Sequence, residues 1–204
     1  MRKGEKVNAI SHLVGAVAAL TGLIALVVLA SLARDPWRIV AYSIYGTALT
    51  GLYVLSTLYH SVGGRAKPVF RRLDHAAIYI LIAGTYTPFT LITLRPTWGW
   101  AIFGIVWSGA IAGILLEVFP FRHRTPVSIA LYVMMGWLVV VAFRPLLASL
   151  APGGVAWLAA GGVLYTSGLA FYGWKSLPRH HEIWHFLVLG GSACHFVALW
   201  RYVG

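Results

Sequence analysis

Two histidines four residues apart, His181 and His185, open and close the pentapeptide HEIWH. Four residues is close to one helical turn, so both imidazoles share a face and can grip one cation. With Glu182 between them they match the H-E-x-x-H pattern, in which the glutamate serves a metalloprotease as general base. Ser56 and His60 repeat the i, i+4 spacing, and Asp74 follows a short loop later. Neutral imidazole suits Zn²⁺, and a catalytic zinc keeps three protein ligands and one open position for water. His60, His181 and His185 supply such a shell. Asp74 can then hold the water or take its proton, and Ser56 can support the shell from outside. The run LVLGGSACHFVALW adjoins HEIWH, however, and no soluble enzyme carries such a continuous stretch. A protease motif, a chance match and half of a zinc site inside a membrane are all open readings of these five residues.

That run is typical of the whole chain. Its 204 residues are 59% hydrophobic and only 10% charged, with a mean hydropathy of +0.79. A soluble domain carries about 25% charged residues, so most of this exterior faces something other than water. Nine Trp and ten Tyr fit aromatic belts at two membrane interfaces. The net charge of +11 comes from short clusters set between apolar runs, not from one basic domain, which argues against nucleic acid as a partner. The single cysteine, Cys194, excludes an internal disulfide and reads as a small hydrophobe. MRKGEKVNAI leads into an apolar stretch longer than a signal-peptide core and without a convincing cleavage site, so no cleaved leader is expected.

A span needs about 20 apolar residues. Seven candidates follow in order: roughly Ile10–Ala33, Trp37–Ser61, Asp74–Leu94, Trp98–Phe119, Pro126–Phe143, Gly153–Trp174 and His181–Val203. The expectation is an all-α integral membrane protein, a single seven-helix bundle over residues 1–204 with short loops. There is no internal repeat, and the odd count argues against an inverted-repeat transporter. Arg2, Lys3, Lys6, Arg65, Lys67, Arg71, Arg72, Arg122, Arg124, Lys175 and Arg179 fall on one side, against Arg34, Arg38, Arg95, Arg144 and Arg201 on the other. The positive-inside rule then puts the N-terminus in the cytoplasm and the C-terminus outside, in a membrane crossed many times.

These elements bring His60, Asp74, His181 and His185 to one depth, just inside the cytoplasmic leaflet. Ionisable groups at membrane depth are costly and normally face the bundle interior, where they mark function. The remaining polar residues have plainer expectations. His12 reads as a packing or supporting residue near the site. His75 and His180 read as interfacial, His123 as a loop residue, and His195, about 21 Å beyond His181 along its helix, as an interhelical hydrogen bond or a cavity wall. Glu117 is expected to pair at the interface with Arg122 and Arg124, Asp35 to sit in a solvated loop with Arg34 and Arg38, and Pro88 to kink the third span.

With these residues in view, the motifs STLYHS at 56–61, RRLDH at 71–75, GTYTP at 84–88 and HHEIWHF at 180–186 resemble, in that order, the progestin and adipoQ receptor superfamily. NAISHLVG at 8–15 resembles its bacterial haemolysin III branch in particular. The resemblance spans nearly the whole chain. It implies seven helices with a cytoplasmic N-terminus and a zinc ion held by His60, His181 and His185. It further implies an aspartate, Asp74, on the zinc-bound water and a serine, Ser56, one turn from the first histidine. Receptor members are linked to ceramide hydrolysis, and the bacterial branch is named for cytolysis and associated with membrane homeostasis. The family pattern gives Glu182 no catalytic role, so Glu182 is expected to meet Lys175 or Arg179 instead.

The leading expectation is a zinc-dependent hydrolase that attacks an amide-linked, ceramide-like lipid from the inner leaflet, with Asp74 as the proton acceptor. The alternative is a receptor-like or homeostatic membrane component whose zinc only pins helices. An intramembrane protease would need Glu182 as its base, and a pore-forming toxin would need a soluble-to-inserted switch that this composition does not offer. Membrane lipids are the expected partners under either leading reading.

Overall fold

The computed structural model describes residues 4–119 and 124–203. Arg2, Lys3, Arg122 and His123 lie outside the described residues, as does the side chain of Arg124. Among the described residues, seven helices are long and apolar enough to cross a membrane: Lys6–Leu32, Pro36–Ser61, Gly64–Thr93, Gly99–Val118, Thr125–Ser149, Pro152–Gly173 and His180–Tyr202. The chain is an all-helical membrane bundle. Large apolar side chains such as Val14, Val17, Ile105 and Ile111 are exposed on its flanks, where lipid would cover them.

Local chemistry sets the helix ends. Arg34 turns the chain out of the first helix at φ 54°, in the left-handed region. Asp35 then caps the second: its carboxylate accepts from the backbone N–H of Trp37 at 3.0 Å and Arg38 at 3.1 Å, and Pro36 supplies the preset first-turn φ. Asp35 is thus a helix cap as well as the ion-pair partner of Arg38, at 3.2 Å, and not simply a loop residue. The third span starts at Gly64, upstream of the expected Asp74, because a short 3-10 turn at Gly64–Ala66 feeds directly into the helix Lys67–Pro88. Asp74 therefore sits about two turns inside its helix rather than at its tip.

Packing of neighbours brings the site faces together. The first helix lies along the second, the second along the third, the third along the fourth and the sixth along the seventh; the first and seventh also meet. Gly84 allows the close approach of the second and third helices, since a Cβ there would lie 2.7 Å from the Cβ of Ala48. Past Pro88 the third span widens into a π-turn over Phe89–Thr93, so the proline changes the helical register as well as removing a donor.

The fifth span is not one helix. It runs as a helix from Arg124 to Gly136, as a 3-10 stretch from Leu138 to Ala142, and as a second short helix from Phe143 to Ser149. A break at membrane depth exposes backbone groups that lipid cannot satisfy. Tyr86 of the third span mends it: its hydroxyl donates to the Gly136 carbonyl at 2.9 Å and accepts from the Val139 N–H at 2.9 Å. Replacing Tyr86→Phe strands both groups. It is expected to cost about 1–3 kcal/mol for each group left unsatisfied, read as an earlier unfolding midpoint of the detergent-solubilised protein.

Candidate metal site and its chamber

Ser56 and His60 lie on the last two turns of the second helix, and the seventh helix begins at His180, directly after Arg179 in a left-handed turn at φ 58°. Antiparallel packing therefore delivers His60, His181 and His185 to the same end of the bundle. One nitrogen from each lies within 4.8 Å of the others. The His181 and His185 Nε2 atoms are 3.3 Å apart, and the His60 ring centre is 4.8 Å from that of His185. His60 is 3% exposed and His185 2%. Three imidazoles this close, two buried and His181 half-buried, with no carboxylate in the group, form a donor set that suits a borderline transition metal and not calcium or magnesium. The group can hold a metal ion.

The protonation pattern of His60 supports that fit. Its Nδ1 lies 3.3 Å from the Glu5 carboxylate, which can only accept a hydrogen bond, so Nδ1 carries the proton. The lone pair is left on Nε2, which is buried and has no hydrogen-bond partner among the described residues. Glu5 is held in turn by the Lys67 ammonium at 2.6 Å, which also donates to the Tyr59 carbonyl at 2.8 Å. Burial pushes the Glu5 carboxyl up, but Lys67 and His60 outweigh it and hold it below the usual glutamate range. A carboxylate behind a ligand histidine is the usual way a protein fixes ring orientation at a metal. Neither Glu5 nor Lys67 was singled out by sequence spacing. The available signal was the single acid of the N-terminal segment, on the same side as His60.

Asp74 and the buried Ser56 stand side by side next to this cluster, close enough to interact. Both line an internal cavity of about 710 Å³, together with His181 and His185. His12 stacks on His185 with ring centres 3.8 Å apart and stands outside the three-histidine group, as a packing residue does. His180 is half-buried with its ring edge-on to His181. His195 donates to the Leu158 carbonyl across the helix pair at 3.2 Å and also lines the cavity.

Three expectations need correction. Glu117 is not solvated: it is 1% exposed, accepts from the Ser128 hydroxyl at 2.7 Å and lies 3.8 Å from His75 Nδ1, while its expected partners, Arg122 and the Arg124 side chain, lie outside the described residues. The fourth helix packs against the third and fifth, and this buries the side of its last turn that carries Glu117. His75 is correspondingly drawn inward and lines the cavity. Glu182, placed a third of a turn from His181, makes no ion pair with Lys175 or Arg179 among the described residues and does not line the cavity.

Fold and site together define a multi-pass membrane protein of seven helices, with a three-histidine cluster at one end opening onto an internal chamber. The haemolysin-III related family matches residues 2–196, and the chain belongs to that family. It is similar to Hemolysin-3 of Bacillus cereus, 45% identical over 202 residues that cover 98% of this chain and 92% of that protein. It is 43% identical to the Hemolysin-3 homolog of Bacillus subtilis (strain 168), over 98% of this chain and 94% of the relative. The human monocyte to macrophage differentiation factor is 28% identical over 84% of this chain and 74% of its own length. That last relation agrees with the receptor superfamily that the motifs resemble.

Glu5→Gln is expected to leave the helices intact and weaken metal binding by about 10- to 100-fold. Competition with a chromogenic chelator measures it; unchanged affinity would remove Glu5 from the site.

Proposed function

We propose that the three histidines hold zinc and that the protein hydrolyses an amide-linked lipid entering from the inner leaflet. One arrangement carries the reading: a carboxylate and a hydroxyl, Asp74 and Ser56, stand beside an imidazole cluster at the wall of a large, mainly apolar cavity. Zinc bound there would acidify a water and polarise a carbonyl. Asp74 is placed to take the proton from the attacking water as its oxygen bonds to the carbonyl carbon, and to return that proton to the nitrogen as the C–N bond breaks. The products are a carboxylic acid and an amine, which ionise to a carboxylate and an ammonium. Ser56 keeps the Asp74 carboxylate turned towards the cluster. His60, held by Glu5, keeps its free nitrogen aimed inward. Leu81, Ile82 and Val188 along the cavity exclude bulk water and accept an acyl chain.

In this reading the cation-rich end, with His60, Asp74 and His181, faces the cytoplasm of a plasma membrane, as the positive-inside rule requires. A structural role for the metal is the second reading, favoured by the deep burial of His60 and His185, which would tie the second helix to the seventh. The name Hemolysin-3 belongs to the relatives; cytolysis by this chain would follow from disturbance of the bilayer on overproduction.

Asp74→Asn is expected to retain zinc, read by metal analysis and anomalous scattering at the zinc edge, while hydrolysis of a ceramide-like amide by purified protein falls by at least about 100-fold. Glu182→Gln should hydrolyse like the parent. Equal turnover by parent and Asp74→Asn would eliminate the mechanism, and a metal-replete parent without turnover would leave the helix-pinning role. Cysteines introduced beside Lys175 should react with impermeant thiol reagents only in inverted vesicles.

A further inference from the structure

The wall of the cavity is not uniform. At the end nearest the histidines it is lined by Lys67, Arg71, Arg72 and Lys175, and beyond them by apolar side chains such as Leu81, Leu169 and Val188. Lys67 is neutralised by Glu5. Arg71, Arg72 and Lys175 are exposed and make no ion pair among the described residues. They come from two sides of the opening. Arg71 and Arg72 project from the third helix, and Lys175 stands in the turn before the seventh, over the Tyr172 ring at 4.2 Å. Arg71 lies three residues before Asp74, so it shares that helical face one turn nearer the water.

We infer that this opening is a headgroup site for a membrane lipid carrying an anionic, phosphate-bearing headgroup. The inference rests on the lipid-hydrolase reading and narrows its substrate class. Every cytoplasmic loop of a membrane protein attracts anionic lipid through its Lys and Arg. What sets these three apart is that they border a cavity whose floor is apolar, so one amphiphile can satisfy both ends at once. Arginine presents two parallel N–H donors to phosphate oxygens, and the pair Arg71 and Arg72 can grip a phosphate that Lys175 neutralises from the other side. A headgroup held there puts the first linkages of the lipid one turn deeper, level with Asp74 and His181. A free phosphate would satisfy the cations but leave the apolar chamber to water, so the lipid is the better match. Arg65, at the same end and equally exposed, does not border the cavity and provides an internal control.

The test uses full-length, delipidated protein in detergent, in the Asp74→Asn background so that binding is read without cleavage. Binding of phosphatidylglycerol and phosphatidylcholine of identical chains is followed by native mass spectrometry. The expected result is at least a tenfold preference for phosphatidylglycerol, lost in the double variant R71Q/R72Q and reduced in K175Q, but kept in R65Q. K175Q lies in a turn, so it serves even if the double variant fails to stay monodisperse. Equal binding of the two lipids, or an equal loss in R65Q, would overturn the headgroup site. So would displacement of the lipid by millimolar glycerol phosphate, which would identify a site for small anions instead. Because binding is measured without turnover, failure of the hydrolase reading leaves these outcomes readable.

Discussion

The bilayer interior offers no hydrogen bonds, so every polar group buried in this bundle has to find its partner within the bundle. Many do so pairwise, although atoms of Asn8, His12 and Tyr45 have no hydrogen-bond partner among the described residues. The Ser192 hydroxyl sits between those of Tyr53 and Tyr165, at 2.7 Å from each, tying the second, sixth and seventh helices. Tyr86 closes the break in the fifth span, and Ser128 satisfies one oxygen of Glu117. At the histidine cluster the accounting does not close with protein groups alone. His60 has one nitrogen committed to Glu5 and the other buried and unmatched, facing two more imidazoles. Leaving such an atom dry costs free energy. A cation would recover it, and a nitrogen from each of three imidazoles lies within 4.8 Å of the others.

The same constraint explains why the cluster is assembled from segments so distant in sequence. Each helix can deliver only what its last turns carry, so a multidentate site has to collect donors from several helix ends at one level. Glu5 arrives from before the first helix, His60 from the end of the second, Lys67 and Asp74 from the start of the third and the histidine pair from the start of the seventh. Lys67 is the coupling between them: one ammonium holds Glu5 and the Tyr59 carbonyl, and so binds the leading segment, the second helix and the third into one unit around His60. Close backbone approach at Gly84 and Ala48 keeps the second and third helices in the register this unit needs.

Much of this is readable in the sequence because hydrophobicity and helical periodicity are local. The seven apolar runs, the i, i+4 spacing of His181 with His185 and of Ser56 with His60, and their shared level follow from counting residues along single helices. What was not readable depends on tertiary placement. Nothing in the sequence neighbourhood of Glu5 reveals that it folds back onto His60. Glu117 and His75 looked interfacial because each ends or begins an apolar run; their burial depends on how the third, fourth and fifth helices meet. The break in the fifth span was hidden for a similar reason. The run from Pro126 to Phe143 is apolar but for Ser128 and Tyr132, and the hydroxyl of Tyr86, 50 and 53 residues before the groups it meets, makes a broken helix tolerable there.

The two faces of the cluster differ, and that difference favours chemistry over a purely mechanical metal. His60 is sealed behind Tyr59, Glu5 and Lys67 and does not border the chamber, whereas His181, His185 and Asp74 do. A pin between two helices gains nothing from an open side, because its function ends with the ligands that hold it. Here the open side leads into a space of about 710 Å³ at membrane depth, with the Asp74 carboxylate at its edge and cations at its mouth. Maintaining such a void forgoes packing contacts that a close-fitting interior would make, and a bundle that needed only to stay closed would fill it with side chains.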